Sequence, residues 1–172
     1  MKSSKRYLYI IRHAKSDWSD VSLDDFERGL NKRGFRDSIL IAKALRSKGV
    51  HFDYIVSSAA VRAKYTAEII GAFNNYDIDR IDFQKSLYFA TPQELIKTIQ
   101  KSSNSIKSLA LIGHNPELTE LVNLISDCSL DNLPTSAVVA LTFDKDWDQI
   151  EKGELLFYLS PKILKEKVTI LS

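Results

Sequence analysis

Two arginines and two histidines stand where three apolar runs give way to polar chain. Arg12 and His13 end the run in YLYIIRHAKS, Arg62 falls in the first turns of a helix that follows DYIVSS, and His114 ends the run in SLALIGHNPEL. An arginine offers a forked pair of donors that matches two phosphate oxygens. Helix N-termini add positive potential at the same place, so the ligand type that fits is a phosphate or phosphoryl group. A histidine in line with phosphorus can attack it, provided the imidazole is neutral and its Nε2 lone pair is free. That requires Nδ1–H to be held, for which a backbone carbonyl in the loop after Ala14 is the expected acceptor. Nearby cations lower an imidazole pKa, and they stabilise charge on the equatorial oxygens by roughly 3–4 kcal/mol per well-placed donor. The chemistry expected is a phosphohistidine on His13, later cleaved by water, with His114 protonated against the phosphate. A metal site is disfavoured, because cations adjoin the histidines and the three histidines of the chain show no His-x-x-x-His spacing.

Each motif also has a plainer reading: a strand end, a capped amphipathic helix with an exposed arginine, a strand-to-helix turn. Only their convergence gives them chemistry, and a parallel sheet supplies it, since ligands bind at the carboxyl edge of open α/β sheets. Tyr7 to Ile11 is five apolar residues, too short for a helix and suited to a strand buried on both faces. A polar, aperiodic stretch from Ala14 to Leu30 reads as a long loop over that edge. Asn31 opens a helix with Phe35, Ile39, Ala42 and Leu45 inward, closed by Gly49. After the strand Asp53–Ser58, Ser58 can cap a helix whose apolar face is Val61, Tyr65 and Ile69. A weaker strand is expected near Phe83, ending at Leu87-Tyr88-Phe89. Thr91-Pro92-Gln93-Glu94 is a capping box with proline at the first helical position, followed by Leu95, Ile96 and Ile99. Beyond the strand Leu109–Ile112, Asn115-Pro116-Glu117 supplies a cap, a proline and an acid to a helix burying Leu118, Leu121, Val122 and Ile125. The runs from Ala137 and Glu154 are separated by a largely polar link of ten residues, DKDWDQIEKG, as in a hairpin, so at least one edge pair is antiparallel. The alternation predicts a three-layer α/β/α sandwich.

The 172 residues fit one domain, 1–172, of 44% hydrophobic and 27% charged composition with a net charge of +2. Cations and acids interleave, which excludes a nucleic-acid binder; the uncompensated cluster Lys2, Lys5 and Arg6 reads as a solvated N-terminus. No apolar run has the length of a signal-peptide core with a cleavage site or of a membrane span, so a cytoplasmic location is expected. The single cysteine, Cys128, excludes an internal disulfide and reads as a buried structural thiol. His51 follows Gly49 on the opposite edge and is assigned no role.

The motifs LYIIRHAKSDW, ERGLNKRG, SSAAVRAKYTAE, LIGHNPEL and LPTSAVVAL occur in the order seen in the histidine phosphatase superfamily. The chain resembles its SixA-type phosphohistidine phosphatases, with a phosphoglycerate mutase-like fold. The resemblance implies a mostly parallel sheet with one antiparallel strand, His13 as phosphorylated nucleophile, Arg12 and Arg62 as phosphate clamps, and His114 as the second pocket histidine. It implies no metal or organic cofactor. The family often has proline where this chain has Gly29 and Ala59, which bears on loop stiffness. The chain is too short for the inserts that roof the site in larger relatives. Mutase relatives carry a glutamate around Gln84 to Phe89, and this chain has none there. Glu94 is explained by its capping box, which leaves Asp17 and Asp20 as possible acids. An imidazole leaving a P–N bond needs a weaker acid than an alkoxide does. Protein phosphohistidine is therefore the expected substrate. The alternatives are a phosphomonoesterase for small phosphorylated metabolites and a phosphoryl-binding module without turnover.

Overall fold

A computed structural model describes residues 4–171, with side chains through 167. Six strands, β1 (Arg6–Arg12), β2 (Tyr54–Ser58), β3 (Asp82–Gln84), β4 (Ser108–Gly113), β5 (Val138–Phe143) and β6 (Glu154–Leu159), form one sheet in the order β3-β2-β4-β1-β5-β6. β1 runs parallel to β4, and β4 to β2 and β2 to β3; β5 is antiparallel to both β1 and β6. One reversed strand in an otherwise parallel sheet is the expected mixture.

Five helices cover the sheet: α1 (Lys32–Ser47), α2 (Val61–Phe73), α3 (Pro92–Gln100), α4 (Glu117–Ile125) and α5 (Pro161–Leu171). Successive β1 side chains serve opposite cores, as the two-unit period of a strand requires. Leu8 and Ile10 pack with Leu95 and Ile99 of α3 and Leu118, Leu121 and Val122 of α4. Tyr9 and Ile11 pack with Ile41, Ala42 and Leu45 of α1 and Ala63, Ala67 and Ile70 of α2. The layers are therefore α/β/α.

The helix limits follow the expected signals. Asn31 caps α1 by accepting from the Gly34 amide at 2.8 Å, Gly49 lies beyond its end at φ +73°, and the Thr91–Glu94 capping box is complete. Pro116, not Asn115, sits at the N-cap of α4; the Asn115 side chain accepts from the Thr119 amide instead.

The inward faces of α1 and α2 differ from expectation. Phe35 and Tyr65 are both exposed and lie 6.0 Å apart, ring to ring, on the surface. Ala42 and Leu45 are buried on α1 as expected, but beside Gly34, Asp37, Ser38 and Ile41, and α2 buries Arg62, Ala63, Thr66, Ala67, Ile70 and Gly71. Small residues there let the helices approach the sheet. Gly34 shows why most sharply: a Cβ at this position would stand 2.3 Å from the Lys15 carbonyl oxygen. The start of α1 is thereby pressed onto the chain just after His13.

Three further expectations change, and one helix has no counterpart among them. β3 ends at Gln84, and Lys85–Leu87 is a 3₁₀ turn, so Tyr88 and Phe89 are not strand residues. α5 carries no expectation in the sequence; Lys165 on it pairs with the buried Asp37 at 2.7 Å. Lys2 lies outside the described residues, whereas Arg6, expected in solvent, is buried and paired with Asp146. Cys128 is half-buried against the core rather than enclosed.

Candidate active site

β1 and β4 are neighbours in register, Arg12 opposite Gly113, so the next residues, His13 and His114, leave the sheet side by side. Their rings are 5.0 Å apart, centre to centre, and both are buried. The His13 amide donates to the Gly113 carbonyl at 3.1 Å, and the Ser136 amide donates to the carbonyls of Arg12 and His13, both at 3.2 Å. Ser136 reaches them from φ +64°, a left-handed conformation at the turn into β5. Arg12 donates from Nη1 to the Leu133 carbonyl at 3.0 Å. The LPTS segment before β5 thus holds the end of β1.

Arg62 arrives from the first turn of α2. Its Nε donates toward His13 Nε2 at 3.4 Å. Helix α2 is also tied to the β1 end through Thr66, which accepts from the Ala14 amide at 2.9 Å. All four residues singled out in the sequence, Arg12, His13, Arg62 and His114, line one pocket of about 290 Å³ with Lys15, Ser16, Trp18, Asp25, Asn115 and Thr135.

The two imidazoles are fixed differently. His13 Nδ1 is 2.7 Å from the carbonyl of Ala14, so that nitrogen is the donor and Nε2 carries the lone pair. His114 uses Nε2, 2.8 Å from the Ser58 hydroxyl, while its Nδ1 is buried without a hydrogen-bond partner. Burial lowers the His13 pKa to about 3, opposed by its bond to Ala14 and assisted by His114, Arg62 and Arg12. Burial, then Arg62, lowers His114 to about 4, with Arg12 adding and Asp25 opposing. Burial and the guanidiniums thus favour the neutral form of both rings at pH 7, whereas a phosphate beside His114 would favour the protonated form expected of it there. Ser58 is also not the cap of α2: the N-cap is Ala60, and the Ser58 hydroxyl faces His114.

Sequence reasoning missed Asp25. The Ala14–Leu30 loop folds back through an antiparallel bridge between Ser16 and Leu30 and through buried Arg28, which donates to the carbonyls of Asp20 and Leu23 and stacks 4.0 Å from the Trp18 ring. That fold lays a 3₁₀ turn, Asp25–Glu27, over the start of α2. Arg62 donates from Nη1 to the Asp25 carbonyl at 2.6 Å and from Nη2 to Oδ2 at 2.8 Å. Tyr88, whose ring stands 5.3 Å from that of His114, donates its hydroxyl to the same carboxylate. Partial burial raises the Asp25 pKa, but Tyr88 and Arg62 outweigh it and hold the group below the usual range. Asp17 and Asp20 instead accept from the amides of Ser19 and Ser22 in exposed turns, and Glu94 is committed to its capping box. Among the described residues no group of three or more His, Cys, Asp or Glu could hold a metal, and no helix is long and apolar enough to cross a membrane.

Comparison with known proteins gives the family and the fold. The family model for the histidine phosphatase superfamily (branch 1) matches residues 8–85. An uncharacterized chloroplastic protein of Arabidopsis thaliana is 30% identical over 155 residues, covering 86% of this chain and 71% of its own. A structure from Agrobacterium tumefaciens, described as a candidate phosphohistidine phosphatase SixA, superimposes with a TM-score of 0.76 at 29% identity, over 91% of this chain and 98% of its own. The protein histidine phosphatase SixA complexed with tungstate gives 0.80 at 23% identity, over 92% and 99%. The chain belongs to the histidine phosphatase superfamily, with the phosphoglycerate mutase-like α/β/α fold and a SixA-type form.

Proposed function

We propose that this histidine phosphatase works through a phosphohistidine on His13 and acts on protein phosphohistidine. The observation that carries the reading is the neutral His13 ring, its Nδ1 held by Ala14 and its Nε2 facing Arg62, in one pocket with Arg12 and His114. Phosphoryl oxygens take the Arg62 and Arg12 donors, and His13 Nε2 attacks phosphorus. The Nε2–P bond forms as the bond from phosphorus to the leaving group breaks, the electron pair going to the leaving atom. Asp25 is the carboxylate placed to deliver a proton there. Phosphoryl oxygens that displace it from Arg62 remove the ion pair that keeps it ionised, and their charge raises its pKa. Water then attacks phosphorus and loses a proton to the same carboxylate. The P–Nε2 bond breaks with its electrons returning to the imidazole, and inorganic phosphate leaves.

A protein substrate fits the rim. Trp18 (57% exposed), Val21 (84%) and Phe89 (79%) present apolar side chains on the loop and turn that flank the pocket. Phe89 stacks 4.1 Å from Tyr88, ring to ring. Likeness to SixA structures supports the same reading, and tungstate, bound by one of them, is a tetrahedral oxyanion like phosphate. Asp25 favours a second reading: a carboxylate of this kind also serves an alkoxide leaving group, so small phosphomonoesters are the alternative.

The deciding experiment is trapping with a labelled phosphodonor and an acid-free quench, then mapping of the modified residue. Label on His13, released by water and absent in His13→Ala, is expected; label elsewhere overturns the assignment. Turnover of a phosphohistidine protein against a panel of sugar and nucleotide phosphates separates the two substrates. Faster turnover of the panel would favour the second.

A further inference from the structure

His114 and Ser58 form a buried pair that the steps above leave unused. The Ser58 oxygen accepts from the Ala60 amide at 3.2 Å and lies 2.8 Å from His114 Nε2. A serine hydroxyl has one proton to give. Among the described residues, the hydrogen-bond partner that can receive it is His114 Nε2.

Two neutral tautomers of His114 are possible, and they differ in what they leave unpaired. With the proton on Nε2, Ser58 would accept from both Ala60 and His114, and its own hydrogen would have no acceptor. His114 Nδ1 would then be a bare, buried lone pair. With the proton on Nδ1, Ser58 donates to Nε2, the Ala60 amide keeps its acceptor, and a single N–H remains to be satisfied. Buried polar groups left unpaired cost about 1–3 kcal/mol each, which favours the second arrangement.

We infer that Ser58 is a positioning residue that fixes His114 as the Nδ1–H tautomer, so that the second histidine donates to a phosphoryl oxygen as a neutral ring. The inference rests on the phosphoryl-binding reading of the pocket and assigns the donor nitrogen within it. The charged and titratable groups around the ring are Arg62 from α2, Arg12 from β1, His13, Asp25 from the loop and Tyr88 after the 3₁₀ turn. The two guanidiniums oppose a third cation between them, in keeping with the ring's depressed pKa. A neutral donor needs no proton from solvent before the substrate enters. It supplies its hydrogen bond at any pH at which the ring keeps its single proton.

Nitrogen-15 NMR of histidine-labelled protein tests this directly. The chain has three histidines, and His114 is assigned by the signals lost in His114→Gln. At pH 7, wild type is expected to show His114 protonated on Nδ1 and unprotonated on Nε2, with and without tungstate. Ser58→Ala should give a mixture of tautomers and bind tungstate about tenfold more weakly, while Ser58→Thr, which keeps the hydroxyl, restores both. An Nε2–H tautomer in wild type, an unchanged tautomer in Ser58→Ala, or a doubly protonated ring with tungstate would each overturn the inference. Should Ser58→Ala not fold, the wild-type spectrum decides alone. Wild-type protein that shows the Nδ1–H tautomer yet binds no tungstate would instead refute the phosphoryl-site reading.

Discussion

His13 and His114 occupy equivalent places, one residue beyond the carboxyl ends of adjacent parallel strands, yet they present opposite nitrogens. His13 gives Nδ1 to Ala14 and keeps Nε2 toward Arg62; His114 gives Nε2 to Ser58 and keeps Nδ1 unpaired. Strand register brings the rings together. The partner of each ring, one backbone carbonyl and one hydroxyl, makes the first a nucleophile and the second a donor in the proposed mechanism. Replacing each ring should separate these roles. His13→Ala is expected to lose turnover by at least about a thousandfold, as removal of a nucleophile does. His114→Ala, which removes one transition-state donor, should lower kcat about 10²–10³-fold and still form the phosphoenzyme, slowly. Rapid-quench labelling of both variants makes the comparison, and phosphoenzyme formed by His13→Ala at more than a tenth of the wild-type rate would break it.

Asp25 stands between the two roles, bonded to Arg62 and next to Tyr88. Asp25→Asn keeps the shape and removes the proton. If the carboxylate assists departure, this variant should slow alkyl phosphates about 10²–10⁴-fold and phosphohistidine much less, because an imidazole leaves with weaker help. It should also bind tungstate more tightly than wild type, since no carboxylate then competes for the Arg62 donors. Equal slowing of both substrates would instead make Asp25 a support for Arg62 alone.

How much of this was legible depended on whether local pattern or long-range folding set the residue's place. The ends of β1, β2 and β4 are written as apolar runs that stop at polar residues, so Arg12, His13, Arg62 and His114 could be located and their convergence inferred. Asp25 lies among five carboxylates, Asp17, Asp20, Asp24, Asp25 and Glu27, in an aperiodic loop. Which of them meets Arg62 is decided by the carbonyl bonds of buried Arg28 and the Ser16–Leu30 bridge, which no local period encodes. Phe26, whose ring packs 5.0 Å from that of Tyr88, is the one trace a sequence reader could have used. Phe35 and Tyr65 misled for the opposite reason. They sit at helical spacings typical of a core, yet they pair with each other outside, and small residues such as Gly34 and Ala63 carry the buried contacts.

The neutral rings also have a cost in stability at low pH. Both histidines have folded pKa values, about 3 and about 4, below the ordinary 6.5, so the unfolded chain takes up protons first as pH falls. Their contribution is complete above pH 6.5 and is lost progressively as pH falls toward 3. By pH 5 the loss is about 2 kcal/mol for each ring, from ~1.4 kcal/mol per pKa unit. Urea unfolding of wild type should therefore show a marked fall in stability between pH 7 and pH 5, and His114→Gln should show a shallower one. A variant as pH-sensitive as wild type would mean that His114 is no more neutral in the fold than in the unfolded chain.

Glu94 supplies the smallest effect and the control for Asp25. Its carboxylate accepts from the Thr91 amide at 2.8 Å while Thr91 accepts from the Glu94 amide at 3.2 Å, the reciprocal bonds that start α3. Glu94→Ala breaks one of them at an exposed helix end and should cost about 0.5–1 kcal/mol, at the low end of capping losses. The activity of the remaining folded protein should be unchanged toward phosphohistidine and alkyl phosphates alike. A selective loss toward alkyl phosphates would move the proton donor from the loop after β1 to the start of α3, and with it the leaving group's side of the pocket. The donor's position relative to His13 fixes the line along which phosphorus is attacked, so this minor variant checks the geometry assumed for both histidines.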